Sequence, residues 1–194
     1  MDNKVSSIKR LAGKGVFPPK YAFTLLSPLR NIFISPRQLI ERMDLKSDSI
    51  VLEVGPGPGY FSAKIAPVLH SGKLFLTDIQ QEMLDYAKKR LSRKKINNVE
   101  YHLCDGSYLP FSESMFAVIF MVTVLGEIEN KQQYIKEFYR VLRKNGILSI
   151  SEQAGDPDKM EPAEIKELLK DSGFIFDRIF GTNKNFTINF RKEV

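Results

Sequence analysis

The sequence has no tryptophan and a single cysteine, Cys104, in 194 residues. A lone cysteine excludes a disulfide framework, a CxxC redox pair and any cysteine-cluster zinc site. Histidine is nearly as scarce: His70 and His102 are the only two, without HExxH spacing, so no metal is expected. Long apolar runs are lacking too. The longest uncharged stretch runs from Ser114 to Gly126, short of the ~20 apolar residues that cross a bilayer. The opening residues, MDNKVSSIKRLAGKG, carry charges where a secretory leader has its apolar core, and the expectation is a cytoplasmic protein. Acidic residues are in deficit at one end only. Residues 1–50 hold nine Lys and Arg against four Asp and Glu, while the rest is nearly balanced. Such a basic segment can meet an anionic lipid surface, nucleic acid or acidic substrate, or simply lie solvated.

What the sequence does have is alternation. SIVLEV (49–54), KLFLTDI (73–79), VEYHLCD (99–105), FAVIFMV (116–122) and ILSISE (147–152) are short apolar runs. Between them, Phe61, Ile65 and Leu69, then Met83, Leu84, Ala87 and Leu91, then Ile135, Phe138, Val141 and Leu142 recur at helical spacing. Basic clusters at Lys88–Arg93 and Arg140–Lys144 suit helix C-termini, and Asn145-Gly146 reads as a helix-ending turn. Apolar strands alternating with helices predict a parallel sheet covered on both faces. A helix over 161–172 follows, ended by Gly173. FIFDRIF (174–180) and FTINFRK (186–192) then flank a short turn, which only an antiparallel hairpin allows. The expected fold is α/β: a Rossmann-like, doubly wound sheet of about seven strands, mostly parallel, with an antiparallel C-terminal hairpin. Short helices should precede it, because Ser27-Pro28 and Ser35-Pro36 are helix-start pairs. The chain thus divides into a basic helical segment, 1–48, and a domain, 49–194.

The most informative stretch is VLEVGPGPGYFS, residues 51–62. A buried strand ends near Glu53, Gly55, Gly57 and Gly59 alternate, and a helix begins near Tyr60. Glycines permit a sharp turn and close backbone approach to a ligand, and the helix start offers free N–H groups. The loop is neither a GxGxxG dinucleotide fingerprint nor a Walker loop, which needs a lysine. E-x-G-x-G-x-G instead resembles motif I of the class I S-adenosylmethionine (SAM) dependent methyltransferases, in particular the type 11, ubiquinone/menaquinone-like branch. Three more stations extend the resemblance over roughly residues 48–152. DIQQEML from Asp78 resembles the family's D-x-S-x-x-M-L, whose acid accepts the ribose hydroxyls; a helix N-cap is its plainer role. CDGSYLPF (104–111) resembles D-A-x-x-L-P-F, whose aspartate accepts from the adenine amino group; a turn aspartate is the alternative. FAVIFMVTVLGEI (116–128) and FYRVLRKNGILSISE (138–152) align with the fourth and fifth strands, although Ala117 and Gly126-Glu127 depart from the pattern, the latter standing where the family has histidines.

The resemblance implies a SAM site on Glu53, Gly55, Gly57, Gly59, Tyr60, Asp78, Ile79, Asp105, Gly106, Ser107 and Val122, with no metal. The acceptor should lie over the ends of the fourth and fifth strands. Glu127 and Glu152 are the candidate catalytic acids, Glu127 as a base or as a cation's partner; each also reads as a solvated carboxylate. Thr123 and Tyr21 are candidate substrate contacts, and Gln153 lies nearby. Helices over 18–43, with Tyr21, Phe23, Leu25, Leu26 and Phe33, would form an apolar lid. The acceptor is then a small molecule, with a hydrophobic or lipid- and quinone-like body as the finer expectation. The basic segment is compatible with peripheral membrane contact. An amino-directed nucleic-acid enzyme would carry N/D-P-P-Y/F where this chain has MVTV, so nucleic acid is disfavoured, though RNA methylation at ribose or carbon stays open. A non-catalytic SAM-binding protein is the third reading.

Overall fold

The computed structural model describes residues 16–26 and 34–193. The Ser27-Pro28 pair, Phe33, the side chain of Phe23 and the first part of the basic segment lie outside the described residues. Seven strands form one sheet: β1 (Ile50–Val54), β2 (Lys73–Asp78), β3 (Val99–Leu103), β4 (Phe116–Val122), β5 (Leu142–Glu152), β6 (Phe174–Thr182) and β7 (Asn185–Lys192). Their order is β3-β2-β1-β4-β5-β7-β6. The first five run parallel, and β7 pairs antiparallel with both β5 and β6. The fold is the expected Rossmann-like α/β architecture with its antiparallel hairpin.

Both faces of the sheet are covered, which is why its central strands are apolar at every position. Along β1, Val51 packs into one core cluster, while Leu52 and Val54 pack into the other. One face carries α1 (Pro36–Arg42), α2 (Ser62–Ile65) and α3 (Gln81–Arg93); the other carries α4 (Lys131–Val141) and α5 (Pro162–Leu169). Helix α3 buries Met83, Leu84, Ala87 and Leu91 and ends on Arg90 and Arg93, as its spacing predicts. Phe138 on α4 and Phe120 on β4 are fully enclosed; truncating either to Ala should cost about 3–5 kcal/mol.

Local chemistry sets the element ends. Ser35 caps α1 by accepting from the Gln38 N–H at 3.2 Å, with Pro36 at the first helical position. Leu39 and Met43 of this segment are fully buried in the core, and Arg42 is tied to β7 through Thr187 (2.9 Å) and Asn189 (2.7 Å). Some boundaries differ from the sequence expectation. The first crossover helix is short: Pro67, without an N–H, turns α2 into a 3-10 segment at Ala66–Val68. Helix α4 stops at Val141, so Leu142 opens β5, and Arg143, Lys144, Asn145 and Gly146 form an irregularity within that strand's pairing rather than a helix end. Strand β3 ends at Leu103, and Glu161 with Glu164 makes a capping box that starts α5 at Pro162. Before α1, residues Pro19–Leu26 form a 3-10 helix.

Candidate active site

The chain leaves β1 toward β2 and β3, then returns to β4 on the other side of β1. Adjacent loops at the carboxyl ends of β1 and β4 therefore part in opposite directions and leave a crevice. A cleft of about 570 Å³ opens there.

The glycine loop forms its floor. Gly55, Gly57 and Gly59 all have positive φ, at 65, 52 and 77°. Their reasons differ. A Cβ on Gly55 would lie 2.6 Å from Val124 Cγ2, and one on Gly59 would meet Leu91 Cδ1 at 2.9 Å and Ala87 at 3.2 Å. Gly59 thus lets the loop lie against α3 and is not among the cleft-lining residues, whereas Gly57 faces the cleft beneath Leu25. Glu53 is 3% exposed, accepts from the Ser62 hydroxyl at 2.5 Å and reaches the cleft's edge. That bond joins the strand end to the helix start and fixes the loop between them. Tyr60, Ile79, Gly106, Val122 and Thr123 also line the cleft.

Two aspartates close this half. Asp78 ends β2 and accepts from the Gln80 N–H at 3.0 Å. Burial pushes its carboxyl up to about 6, against the pull of the Gln80, Ile79 and Gly57 N–H groups. Asp105, beyond β3, is exposed and accepts through one oxygen from the Ser107 hydroxyl (2.8 Å), the Ser107 N–H (2.9 Å) and the Tyr108 N–H (3.2 Å). Those bonds, the hydroxyl's first, hold its carboxyl below the usual range. Ser107 itself is not among the lining residues, so its role here is to orient Asp105.

A clamp from α4 steadies this loop. Glu137 and Arg140, one turn apart on α4, pair at 2.7 Å. Glu137 accepts from the Leu109 N–H (2.9 Å), and Arg140 donates to the carbonyls of Leu109 and Phe111, each at 2.8 Å. Arg140 also lies over the Tyr108 ring at 5.0 Å. The signal was present as Leu109-Pro110-Phe111 and a Glu/Arg pair at helical spacing, but Arg140 reads equally well as a helix-end cation.

The other half of the cleft is built from the loops after β4 and β5. Thr123 has φ 57°, rare for a β-branched residue, and is held by its N–H on the Ser151 carbonyl at 2.8 Å. Glu127 lines the cleft; burial, with Asp156 and Asp158 nearby, pushes it up to about 7, while the Phe17 N–H opposes. Glu152 ends β5 at 1% exposure, behind the lining rather than in it. Burial raises it to about 8, Asp156, Glu127 and Asp158 add to the rise, and Lys159 opposes it. Asp156 and Asp158, which the sequence offers only as a turn-like D-P-D, line the cleft beside Gln153. Val16, Phe17 and Leu25 reach over the top, and the Phe17 carbonyl accepts from Gln80 Nε2 at 3.2 Å. Tyr21 is half-buried in the same strap but is not among the lining residues. Among the described residues no group of three or more His, Cys, Asp or Glu side chains is placed to hold a metal ion.

A glycine loop under a strand end, carboxylates at the next two strand ends and a crevice where the strand order reverses define a class I SAM-dependent methyltransferase site. Comparison with known proteins agrees. Residues 45–183 match the model of the methyltransferase domain family, and the chain belongs to that family. It is similar to the ubiquinone/menaquinone biosynthesis C-methyltransferase UbiE of Haemophilus ducreyi, 28% identical over 126 residues, 62% of this chain and 49% of the relative. The enzyme of the same name from Cellvibrio japonicus is 30% identical over 60% of this chain and 47% of its own. The chain spans about half the length of these curated relatives. In structure it is similar to a SAM dependent methyltransferase from Aquifex aeolicus, with a TM-score of 0.86 at 22% identity, covering 91% of this chain and 100% of that one.

SAM is the family's cofactor, and the residues present fit it. Asp78 is a half-buried carboxylate at a strand end on the cleft wall, suited to paired hydroxyls. The second oxygen of Asp105 is not used by the bonds described above and is available to an amino group.

Proposed function

We propose that the protein transfers a methyl group from SAM to a small-molecule acceptor held over the ends of β4 and β5. The observation that carries this reading is the continuity of the cleft: the glycine loop, Asp78 and Asp105 open into the same space as Thr123, Glu127 and Asp158. When bound, SAM supplies a methyl group already activated by its sulfonium. The protein's own task is then placement and exclusion of water, with a base only where the acceptor carries a proton to lose.

In this reading Asp78 accepts from the ribose hydroxyls, Asp105 from the adenine amino group, and the N–H groups of the glycine loop face the methionyl end. Phe17 and Leu25 exclude water from above. The apolar cover supports an acceptor with an apolar body. That is compatible with the ubiquinone/menaquinone biosynthesis in the relatives' names.

Thermal unfolding with and without S-adenosylhomocysteine, run beside Asp78→Ala, tests the reading. At about 100 times its dissociation constant, a ligand stabilises by roughly 2.7 kcal/mol. At about 2–4 °C per kcal/mol for a chain of this size, the midpoint rises by several degrees. The rise should vanish in Asp78→Ala. No rise in the folded wild-type protein at saturating ligand would sink the proposal. Transfer of label from SAM into a small-molecule extract separates an enzyme from a non-catalytic binder.

A further inference from the structure

Strand β6 closes one end of the sheet. It pairs with β7 alone, so a row of its backbone N–H and C=O groups faces outward. Apolar surface is also left bare here. Ile175, Phe176 and Ile179 are 54, 41 and 43% exposed, three of the eight large apolar side chains that stand exposed among the described residues. Lys166 on α5 lies over the Phe176 ring at 3.8 Å and still leaves that much of it open. The opposite edge, β3, is five residues long and exposes Leu103 alone.

The two faces of β6 are set by an extra residue. In a regular strand, residues three apart point to opposite sides. Here Phe176 pairs with Phe190 and Arg178 with Asn189, so Asp177 is inserted as a bulge and resets the alternation. Phe176 and Ile179, opposite Phe190 and Ile188, therefore share the face of the core cluster that holds both of those residues. Ile175 and Phe180, opposite Arg191 and Thr187, share the other face. The segment FIFDRIF (174–180) thus has a centre, between Asp177 and Arg178, about which apolar residues repeat on each face. Within the chain Asp177 lies 3.4 Å from Arg178 and 3.5 Å from Arg191, and the Arg178 side chain is 60% exposed.

We infer that two copies of this chain pair antiparallel along β6, related by a two-fold axis between Asp177 and Arg178. A two-fold normal to a continuous sheet keeps every residue on its own face, so residues that meet across it must share a face within one chain. The bulge meets that condition, and a regular strand with its centre between two residues does not. In this register Asp177 of each copy stands opposite Arg178 of the other, Phe176 opposite Ile179, and Ile175 opposite Phe180. A hollow of about 390 Å³ bordered by Ile175, Phe176, Asp177 and Arg191 lies where Phe180 of the second copy arrives. A centre on Asp177 itself would set two aspartates against each other and Ile175 against Ile179, which lie on opposite faces. Bulges and charges on an edge strand discourage indiscriminate pairing. Here the same features admit one partner, the segment's own copy, because its charges and apolar residues complement themselves.

The test is sedimentation of the full chain from about 5 to about 500 µM, the range suited to an interface built on one strand pair. The wild-type protein should pass from the mass of one chain to that of two. Asp177→Lys and Arg178→Glu each place like charges across the two-fold and should each weaken the dimer about tenfold or more. Mixed in equal amounts, the two variants bring a pair of positive charges against a pair of negative ones, and the dimer should return. Ile179→Lys, which keeps both native charges, should weaken the dimer as well. Unfolding midpoints at the dilute end within about 2 °C of wild type show that the surface variants are folded. A wild-type chain that stays single throughout would overturn the inference. So would a dimer indifferent to all three substitutions, or a mixture of the two charge variants that stays dissociated, since opposed Asp177 and Arg178 define the pairing.

Discussion

The two halves of the cleft treat their carboxylates in opposite ways. In the cofactor half each acid is surrounded by N–H and O–H donors: Asp105 accepts three hydrogen bonds and Asp78 draws on the N–H groups of Gln80, Ile79 and Gly57. In the acceptor half the acids of the loops after β4 and β5 stand together, and Glu152 keeps a buried oxygen with no donor among the described residues. The first arrangement is preorganised, with orientation fixed before any ligand arrives. The second crowds its carboxylates, and burial with mutual repulsion raises Glu127 and Glu152. The cofactor half should therefore depend on geometry, and the acceptor half should carry a stability penalty that substitution can relieve.

Gly59→Ala should break the cofactor half most severely, and from behind. The added methyl meets α3 at Leu91 and Ala87 in a backbone with φ 77°. Overpacking and strain together cost about 2–4 kcal/mol. A lowered unfolding midpoint with weaker S-adenosylhomocysteine binding is expected. A variant unfolding at the wild-type temperature would show that the loop yields freely.

Glu152→Gln sharpens the contrast by doing the reverse. Its carboxyl stands near 8 in the folded protein against 4.5 ordinarily. A raised acid opposes folding when ionised, so the penalty is complete above that pH, shrinks as pH falls, and is gone below the unfolded value. The variant should be more stable than wild type by about 1–2 kcal/mol in the alkaline range. The two midpoints should converge as the pH is lowered toward 4.5, and calorimetry across that range reads the gap. A constant gap would place the effect in packing rather than charge.

Arg140→Ala should have the smallest effect. It frees the carbonyls of Leu109 and Phe111 and loosens the loop that carries Asp105. S-adenosylhomocysteine affinity is expected to fall by about tenfold, close to the worth of one charge-assisted hydrogen bond.

The same contrast explains what could be read from the residues alone. The parallel strands were legible because their apolar runs have no other use, and Asp78 and Asp105 because an acid closing such a run stands at the ligand end of a sheet. Gly59 reads as a ligand glycine from its spacing, yet its constraint comes from Ala87 and Leu91, nearly thirty residues away along the chain. Helix α4 ends before Leu142 because that residue pairs with Phe116, a contact no local pattern reveals. Asp156 and Asp158 look like turn formers flanking Pro157. Only the docking of their loop against Gly126 brings them to Glu127. The acid cluster exists in three dimensions and in no contiguous motif.

The contact at Gly126 also bears on how this chain can change. At position 126 this chain has the one residue that lets the 156–158 loop close in. Any side chain placed at that position would collide with the Asp158 backbone. A larger residue there is therefore blocked to a single substitution and requires a rebuilt second loop. The two segments are one structural unit, so altering the shape of one requires altering the other.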